Sequence, residues 1–234
     1  MTGPAFPRRV EAVIFDMDGL LVDSETIFRD SMFEICRQQG LEFSLEVFLR
    51  MVGAPREQNR IVAMEHFGAD FAFDAWFETV GEHAHAQIAV DLSLKAGVIE
   101  LIDYLDEAAI PRAVATSSSH GSVERQLRPL GLIDRFDAIV ANGDYLRGKP
   151  NPDPFLVAAA RLQVVPAACL ALEDSHNGVR AAHAAGAMTI MVPDLLEATE
   201  EMHRLTVGIA RTLHDVRRML QEQHATAPVQ VGGR

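Results

Sequence analysis

The chain has 234 residues, of which 48% are hydrophobic, and its formal net charge is −12. This length allows one or two domains with a substantial core, while the negative charge argues against nucleic acid as the main partner. No apolar run approaches the roughly 18 residues of a membrane span and the first residues hold no apolar signal segment, so we expect neither membrane insertion nor secretion.

The two cysteines, Cys36 and Cys169, lie far apart in the sequence and in apolar surroundings. This usage is typical of free, buried thiols in a reducing compartment. Together with the lack of a signal segment, it predicts a cytoplasmic protein.

The first predicted element is a buried strand at residues 12–15, where four apolar residues are too few for a helix. Asp16 and Asp18 follow it directly, and Gly19 ends the motif. Ligands of open α/β sheets bind beyond the carboxyl ends of strands, so this strand delivers two carboxylates to the expected ligand position. An acidic turn that merely ends a strand is the alternative interpretation of the motif taken alone.

The next segment carries helices and no convincing strand. Asp23, Ser24 and Glu25 offer an N-cap to its first helix, and Gly40 offers its end. Four helices are predicted, at residues 24–39, from 44 onward, at 56–67 and at 74–89. The aromatic side chains near the last helix are interpreted as core rather than as a substrate stack: Phe71, Phe73, Trp76 and Phe77.

After residue 91, helices alternate with strands. The predicted strands are residues 113–115, 138–141, 170–172 and 188–192, and the predicted helices are 97–109, one that ends near 130, 153–162 and 178–185. Such alternation predicts a parallel sheet built by right-handed crossovers, that is, an α/β fold with a doubly wound, Rossmann-like core.

The helical stretch interrupts this alternation directly after the first strand. It therefore predicts an inserted second domain at residues 24–91, with the core formed by residues 1–23 and 92–222. The polar, glycine-ended residues 223–234 are predicted to be a disordered tail.

Chemically active side chains follow several of the predicted strands. If the sheet is doubly wound, these side chains meet at one edge; they are Asp16, Asp18, Thr116, Lys149, Glu173 and Asp174. So many carboxylates together require a cation, and hard oxygen ligands suit Mg²⁺, which binds through a few carboxylates plus a substrate phosphate. Taken alone, Thr116 and Asp174-Ser175 could equally be helix N-caps, and Lys149 could be a solvated loop lysine.

Four motifs closely resemble those of the haloacid dehalogenase superfamily of phosphohydrolases, in order and in their wide spacing. They are DMDG from Asp16, Thr116-Ser117, GKPNPDPF around Lys149 and LEDSHNG around Asp174. The resemblance spans the chain to about residue 220 and implies that the insert is the small α-helical cap domain of that superfamily. Asp23-Ser24-Glu25 and the residues around Asp174 are similar to the phosphatase and β-phosphoglucomutase-like branch.

The resemblance implies a role for each site residue. Asp16 would be the nucleophile that forms an aspartyl-phosphate, and Asp18 the general acid and base. Asp16, the backbone carbonyl of Asp18, and Asp174 would hold Mg²⁺, with Glu173 as a further ligand or close neighbour. The phosphoryl group would be bound by Thr116, Ser117 and Lys149, and the rest of the substrate would meet Gly53, Arg56 and Ser118.

A phosphohexose mutase of the β-phosphoglucomutase type is the alternative enzyme. Members of that type resemble this chain but carry a lysine where it has Val52 and a histidine where it has Phe28. They also carry a Lys-Asn pair where this chain has Ser119-His120. A mutase has to hold a bisphosphate, which favours additional cationic side chains. Because this chain lacks them at these positions, the sequence favours a phosphatase. A non-catalytic phosphate-sensing module is the alternative from another class, but Asp16 and Lys149 are both present.

The sequence therefore predicts a Mg²⁺-dependent phosphatase that acts on a small phosphate monoester, such as a sugar phosphate or phosphoglycolate. Its expected partner is this phosphorylated small molecule, with no nucleic acid and no membrane. A monomer is expected, although no sequence feature bears on the oligomeric state.

Overall fold

The computed structural model describes residues 6–54 and 56–226. Six strands form one parallel sheet: β1 (Ala12–Phe15), β2 (Arg112–Ser119), β3 (Ala138–Asn142), β4 (Cys169–Glu173), β5 (Met188–Met191) and β6 (Gly208–Ile209). Their spatial order is β3-β2-β1-β4-β5-β6. The chain winds outward from β1 in one direction and then returns to wind outward in the other, which confirms the predicted doubly wound α/β fold.

Four helices fill the segment between β1 and the rest of the sheet: α1 (Ser24–Gln38), α2 (Leu45–Leu49), α3 (Arg56–Phe67) and α4 (Phe73–Asp91). Phe73 and Trp76 are buried in the small core of this segment, and Phe71 and Phe77 pack against them, which confirms the interpretation of the aromatic residues. We call α1–α4 the insert; its standing as a separate domain at residues 24–91 stays a prediction.

Six further helices cover the sheet: α5 (Val98–Glu107), α6 (His120–Leu127), α7 (Asp153–Leu162), α8 (His176–Ala184), α9 (Glu200–Leu205) and α10 (Leu213–Thr226). Strand side chains alternate between the two faces. Val13 and Phe15 therefore join the layer of α5, α6 and α10, while Ala12 and Ile14 join the layer of α7 and α8. Because both faces of β1 are covered, its four residues form one continuous apolar run.

Two local expectations differ from the structure. The disordered tail does not begin at residue 223, because α10 continues to Thr226: the Oε1 atom of Gln223 accepts the Val10 amide at 3.0 Å, and its Nε2 atom donates to Arg8 O at 2.9 Å. Residues 227–234, the rest of the predicted tail, lie outside the described residues. The side chain of Asp23 does not cap α1, because its carboxylate faces Lys95 Nζ at 3.5 Å.

The remaining sequence expectations concern membranes and thiols. Among the described residues, no helix is both long and apolar enough to cross a membrane. Cys36 and Cys169 are free and buried, as predicted.

Candidate active site

The site lies at the carboxyl edge of three adjacent strands. Asp16 follows β1, Thr116 to Ser118 lie at the end of β2, and Asp174 follows β4. These three strands are neighbours in the order β2-β1-β4, so the sheet itself brings the three groups side by side. The point between β1 and β4 is where the winding direction reverses, which is the usual ligand position in such sheets.

A cavity of about 720 Å³ separates this edge from the insert. Nine of the ten predicted site residues line it: Asp16, Asp18, Gly53, Arg56, Thr116, Ser117, Ser118, Lys149 and Asp174. The tenth, Glu173, is fully buried beneath the lining. The structure therefore brings together residues that are up to 158 positions apart in the sequence, from Asp16 to Asp174.

The floor of the cavity is a cluster of buried charges. Asp16, Glu173 and Asp174 each place a carboxylate oxygen within 4.8 Å of the others, and Lys149 Nζ donates to both Asp16 Oδ1 and Glu173 Oε1. The side chain of Lys149 is only 7% exposed, so this lysine is a buried site residue and the solvated-loop interpretation is wrong.

Burial governs the titration of this cluster. It raises the pKa of Asp16 well above its ordinary value, against the opposing effect of Lys149, and the charge of Glu173 adds to the increase. Burial also raises the pKa of Asp174, with the charges of Asp16 and Glu173 adding to it. Although burial alone lowers the pKa of Lys149, the carboxylates of Asp16 and Glu173 hold it above the ordinary range. The cluster thus carries an excess of negative charge that one lysine only partly offsets.

The donor set of this cluster fits a hard divalent cation such as Mg²⁺, because it consists of closely spaced carboxylate oxygens. Both oxygens of Glu173 are already engaged, one by Lys149 and the other by the Ser175 amide at 3.4 Å and hydroxyl at 3.2 Å. Asp16 and Asp174 reach the cavity. These two would be direct ligands, with Glu173 holding Lys149 and Ser175 in place.

Two glycines make room for these carboxylates. A Cβ atom at Gly19 would lie 2.3 Å from Asp174 Oδ2, and one at Gly178 would lie 1.9 Å from the Glu173 carboxyl carbon. Gly19 also has a φ of 80°, which L-residues with a side chain rarely adopt. Neither glycine was predicted to shape the site. For Gly178, the sequence pattern that could have indicated it is a glycine in the first turn of a helix that follows two acidic residues.

Asp18 lies beside this cluster and is held by two hydroxyl groups. Ser24 Oγ donates to Asp18 Oδ1 at 2.7 Å, and Ser118 Oγ donates to Asp18 Oδ2 at 2.8 Å. Ser118 comes from β2, whereas Ser24 is the first residue of α1 in the insert. The sequence suggested a capping role for Ser24 and gave no signal of this contact.

The phosphate-binding residues predicted on β2 are not helix caps. Ser119 caps α6 by accepting the Ser122 amide, so the capping interpretation of Thr116 is wrong. Thr116 Oγ1 instead accepts the Ser118 amide at 3.0 Å, which leaves its hydroxyl hydrogen for donation. For the Asp174-Ser175 pair, the cap of α8 is Ser175, which accepts the Gly178 amide, and Asp174 is left to the cavity.

The insert supplies the wall opposite the acidic cluster. Arg56 lies over the ring of Phe77, with its guanidinium carbon 5.1 Å from the ring centroid, and both residues line the cavity. Arg56 Nη2 donates to Asp74 Oδ1 at 3.0 Å, and Arg60 also donates to both oxygens of Asp74. Asp74 engages the Nη2 atom of Arg56, so other N–H groups of this guanidinium remain available to an anion.

Two buried amides also line the cavity. Asn59 on α3 is 7% exposed and Gln126 on α6 is 5% exposed. The side-chain oxygens of both are buried and have no hydrogen-bond partner among the described residues. An unpaired buried amide is costly unless a ligand or water completes it. Neither residue was predictable from the sequence, since both types are common on exposed helix faces.

A family model described as haloacid dehalogenase-like hydrolase matches residues 13–192. A phosphorylated carbohydrates phosphatase of Thermotoga maritima is 31% identical over 177 residues, which cover 76% of this chain and 82% of that protein. The fructose-1-phosphate phosphatase YqaB of Escherichia coli is 31% identical over 181 residues, covering 76% and 94%. Hexitol phosphatase B of Escherichia coli is 30% identical over 201 residues, covering 80% and 85%.

Solved structures show the same architecture. A putative β-phosphoglucomutase from Thermotoga maritima superposes with a TM-score of 0.75 at 27% identity, over 93% of this chain and 100% of that one. CbbY from Rhodobacter sphaeroides, in complex with phosphate, superposes with a TM-score of 0.73 at 27% identity, over 88% and 96%.

Proposed function

Since the chain belongs to the haloacid dehalogenase-like hydrolases, as an enzyme of their phosphatase type, we propose that it is a Mg²⁺-dependent phosphatase that hydrolyses a small phosphate monoester through a phosphorylated Asp16. The observation that carries this proposal is the buried carboxylate of Asp16, which faces the cavity between Lys149 and Asp174 with Asp18 beside it. A second carboxylate next to a nucleophilic one provides the proton transfers that ester hydrolysis needs.

In the first half of the reaction, a carboxylate oxygen of Asp16 attacks the phosphorus atom and the bond to the leaving oxygen breaks. Asp18 donates a proton to that oxygen, so that an alcohol leaves rather than an alkoxide. The Thr116 hydroxyl, the Ser117 residue and the Lys149 ammonium group bind the phosphoryl oxygens, where negative charge must be stabilised.

In the second half, Asp18 accepts a proton from a water molecule as that water attacks the phosphorus of the aspartyl-phosphate. The bond between phosphorus and Asp16 breaks, and inorganic phosphate forms. Ser24 and Ser118 orient the Asp18 carboxylate for both proton transfers. Asp18 thus ends the cycle in the protonated state in which it began.

Magnesium would be held by Asp16, Asp174 and the backbone carbonyl of Asp18, with Glu173 buried behind them. When bound, such a cation offsets the negative charge of the carboxylates and of the phosphoryl group, so that the two can approach each other. The close approach of carboxylate oxygens from Asp16, Glu173 and Asp174, within 4.8 Å of one another, supports this assignment.

The cavity favours a hydroxylated substrate that carries a single phosphate. Asn59 and Gln126 line the cavity with amide side chains, and amides pair with hydroxyl groups. Three relatives are named for phosphorylated carbohydrates, for fructose 1-phosphate and for hexitols. A sugar phosphate or sugar-alcohol phosphate is therefore the preferred substrate class, and phosphoglycolate is the smaller alternative.

A phosphohexose mutase is the second candidate, favoured by the superposition on a putative β-phosphoglucomutase. The geometry argues against it. The side chain of Ser119 is engaged as the cap of α6, and His120 Nε2 pairs with Asp144 Oδ2 at 2.9 Å. Neither residue supplies the lysine ammonium group that holding a second phosphate favours.

The test is a phosphate-release assay over a panel of phosphorylated metabolites in the presence of Mg²⁺, with the conversion of glucose 1-phosphates followed in parallel. We expect inorganic phosphate to appear with at least one sugar or sugar-alcohol phosphate and no isomerised product. Isomerisation without phosphate release would favour the mutase, and the absence of both reactions with every member would contradict the proposal.

A further inference from the structure

A hydrogen bond joins the core to residues 51–54 of the insert, which line the cavity. Asn177 Nδ2, in the first turn of α8, donates to the backbone oxygen of Gly53 at 2.8 Å. Asn177 and Gly53 both line the cavity, yet neither the resemblance nor the proposed reaction gives Asn177 a role. The contact therefore needs its own explanation.

The orientation of the Asn177 amide follows from its other partner. Arg180 Nη1 donates to Asn177 Oδ1 at 3.1 Å, and a guanidinium group can only donate. The amide oxygen must therefore face Arg180, and the amide nitrogen must face Gly53. The amide is thus held as a donor toward the insert.

Arg180 is itself fixed by a two-point ion pair with Glu201. Its Nε atom donates to Glu201 Oε1 at 2.8 Å, and its Nη2 atom donates to Glu201 Oε2 at 2.6 Å. Such paired bonds define the plane of the guanidinium group. A continuous chain of hydrogen bonds therefore runs from α9 through α8 to the insert, by way of Glu201, Arg180 and Asn177.

The segment held by this chain, residues 51–54 and 56, contributes directly to the cavity wall. A Cβ atom at Gly53 would lie 3.7 Å from Ser175 Cβ and 3.9 Å from Leu196 Cδ1, so the segment rests on the loops that follow β4 and β5. Arg56 begins α3 three residues after Gly53. Holding the Gly53 carbonyl therefore limits where α3, and with it Arg56, can lie relative to the core.

We propose that Asn177 is a positioning residue, oriented by Arg180 and Glu201, that holds residues 51–54 and 56 against the core and so sets the distance between the insert wall and the acidic cluster. The consequence for substrate rests on the proposed function, but the holding itself does not. Asn177 does not touch the reacting atoms; it acts through Gly53 and Arg56.

The test is hydrogen–deuterium exchange of the ligand-free protein, in wild type and in Asn177→Leu, which keeps the side-chain size but removes both hydrogen bonds. We expect amides in residues 51–58 to exchange about tenfold faster, the scale of one lost hydrogen bond, while the sheet is unaffected. Arg180→Met should give a smaller increase in the same residues and add little to Asn177→Leu, because Arg180 acts through Asn177.

The matched control is Arg128→Met, since Arg128 makes a similar two-point pair with Glu124 on another helix and should leave residues 51–58 unchanged. Unaltered exchange there in both Asn177→Leu and Arg180→Met would overturn the proposal. Faster exchange throughout the core would also overturn it, because Asn177 would then be merely structural.

The same variants are assayed with p-nitrophenyl phosphate and with fructose 1-phosphate as probes. A protein that releases phosphate from neither probe weakens the proposed function and leaves the exchange result standing. Where fructose 1-phosphate is hydrolysed, we expect Asn177→Leu to raise its KM by about tenfold with kcat little changed, since the lost contact positions the insert wall and does not involve the reacting atoms.

Discussion

Asp16 is a carboxylate that the fold has removed from water. Its neighbours Glu173 and Asp174 repel its negative charge, whereas Lys149 attracts it. Such an arrangement is unfavourable for the free protein, because a group whose pKa is raised in the folded state loses stability as the pH rises through that pKa. The cost is consistent with a site that is completed by a cation and a phosphate.

The first residue-scale prediction is that Asp16→Asn removes turnover without harming the fold. An amide cannot form the acyl-phosphate, so phosphate release should fall by about 10³-fold or more. Because the raised pKa of Asp16 makes its charge destabilising at neutral pH, the melting temperature should stay equal or rise. Phosphate release and thermal melting at pH 7 measure the two effects, and robust turnover by the purified variant would refute the assigned nucleophile.

The second concerns Arg56, which we expect to bind the part of the substrate that does not react. Arg56→Ala should lower kcat/KM for a metabolite phosphate by about 10²-fold, the scale of one lost charged contact, and should barely affect p-nitrophenyl phosphate. Arg60→Ala is the matched control, because Arg60 shares the partner Asp74 and is not among the residues that line the cavity. Equal losses in both variants would mean that the ion pairs with Asp74 are structural.

At the scale of elements, the ends of the strands do most of the positioning. α8 begins two residues after Asp174, and its first turn places Gly178 directly against the Glu173 carboxylate. Glu173 in turn holds Lys149 and Ser175. The helix and the charge cluster are therefore packed as one unit.

This packing predicts that Gly178→Ala is severe. The added methyl group has to displace the Glu173 carboxyl group, so the free energy of unfolding should fall by about 2 kcal/mol or more, and activity should fall with it. Gly81→Ala is the control, since Gly81 lies within α4. Apart from the neighbouring turns of α4 itself, a methyl group added there would have no atom of the described residues within 4 Å. This variant should gain about 0.5–1 kcal/mol of stability from helix propensity. Chemical denaturation of both variants measures their free energies of unfolding. A Gly178→Ala variant that is as stable as wild type would contradict the packing of Gly178 against Glu173.

The sequence predicted the elements that have strong local patterns. β1 and α7 have their predicted bounds because an apolar run or a Pro-Asp-Pro start defines them. β6 has only two residues, too few to leave a pattern, and the end of α10 depends on contacts of Gln223 with the other end of the chain. The same limit applies to the site: motif residues were predictable, whereas Ser24 and Asn177 act through contacts that only the folded chain makes.

At the scale of the whole molecule, the cavity is formed by two different parts. The core supplies the acidic cluster and Lys149, and the insert supplies Arg56, the carboxyl group of Glu25 and an otherwise largely apolar wall. The net charge of −12 therefore does not prevent the binding of an anion, because local cations face the cavity. A cation bound to the acidic cluster would add to them and would link the cluster to the stability of the whole chain.

We predict that Mg²⁺ both activates and stabilises the protein. EDTA should abolish phosphate release, Mg²⁺ should restore it, and Ca²⁺ should restore little, because its looser coordination misplaces the nucleophile. Without substrate, Mg²⁺ at about a hundredfold excess over its Kd should raise the melting temperature by roughly 5–10 °C, and Asp174→Asn should reduce this shift. Full activity in chelator, with no shift on adding Mg²⁺, would refute the assigned metal site.

The central claim is that the phosphoryl group passes through Asp16, and the most direct measurement is chemical trapping of that intermediate. Borohydride added to the enzyme during turnover with Mg²⁺ reduces an acyl-phosphate of aspartate to homoserine, which peptide mass spectrometry detects. We predict homoserine at residue 16 only when substrate and Mg²⁺ are both present, and none in Asp16→Asn. Steady turnover with unmodified Asp16, or with homoserine at residue 18 or 174 instead, would contradict the mechanism.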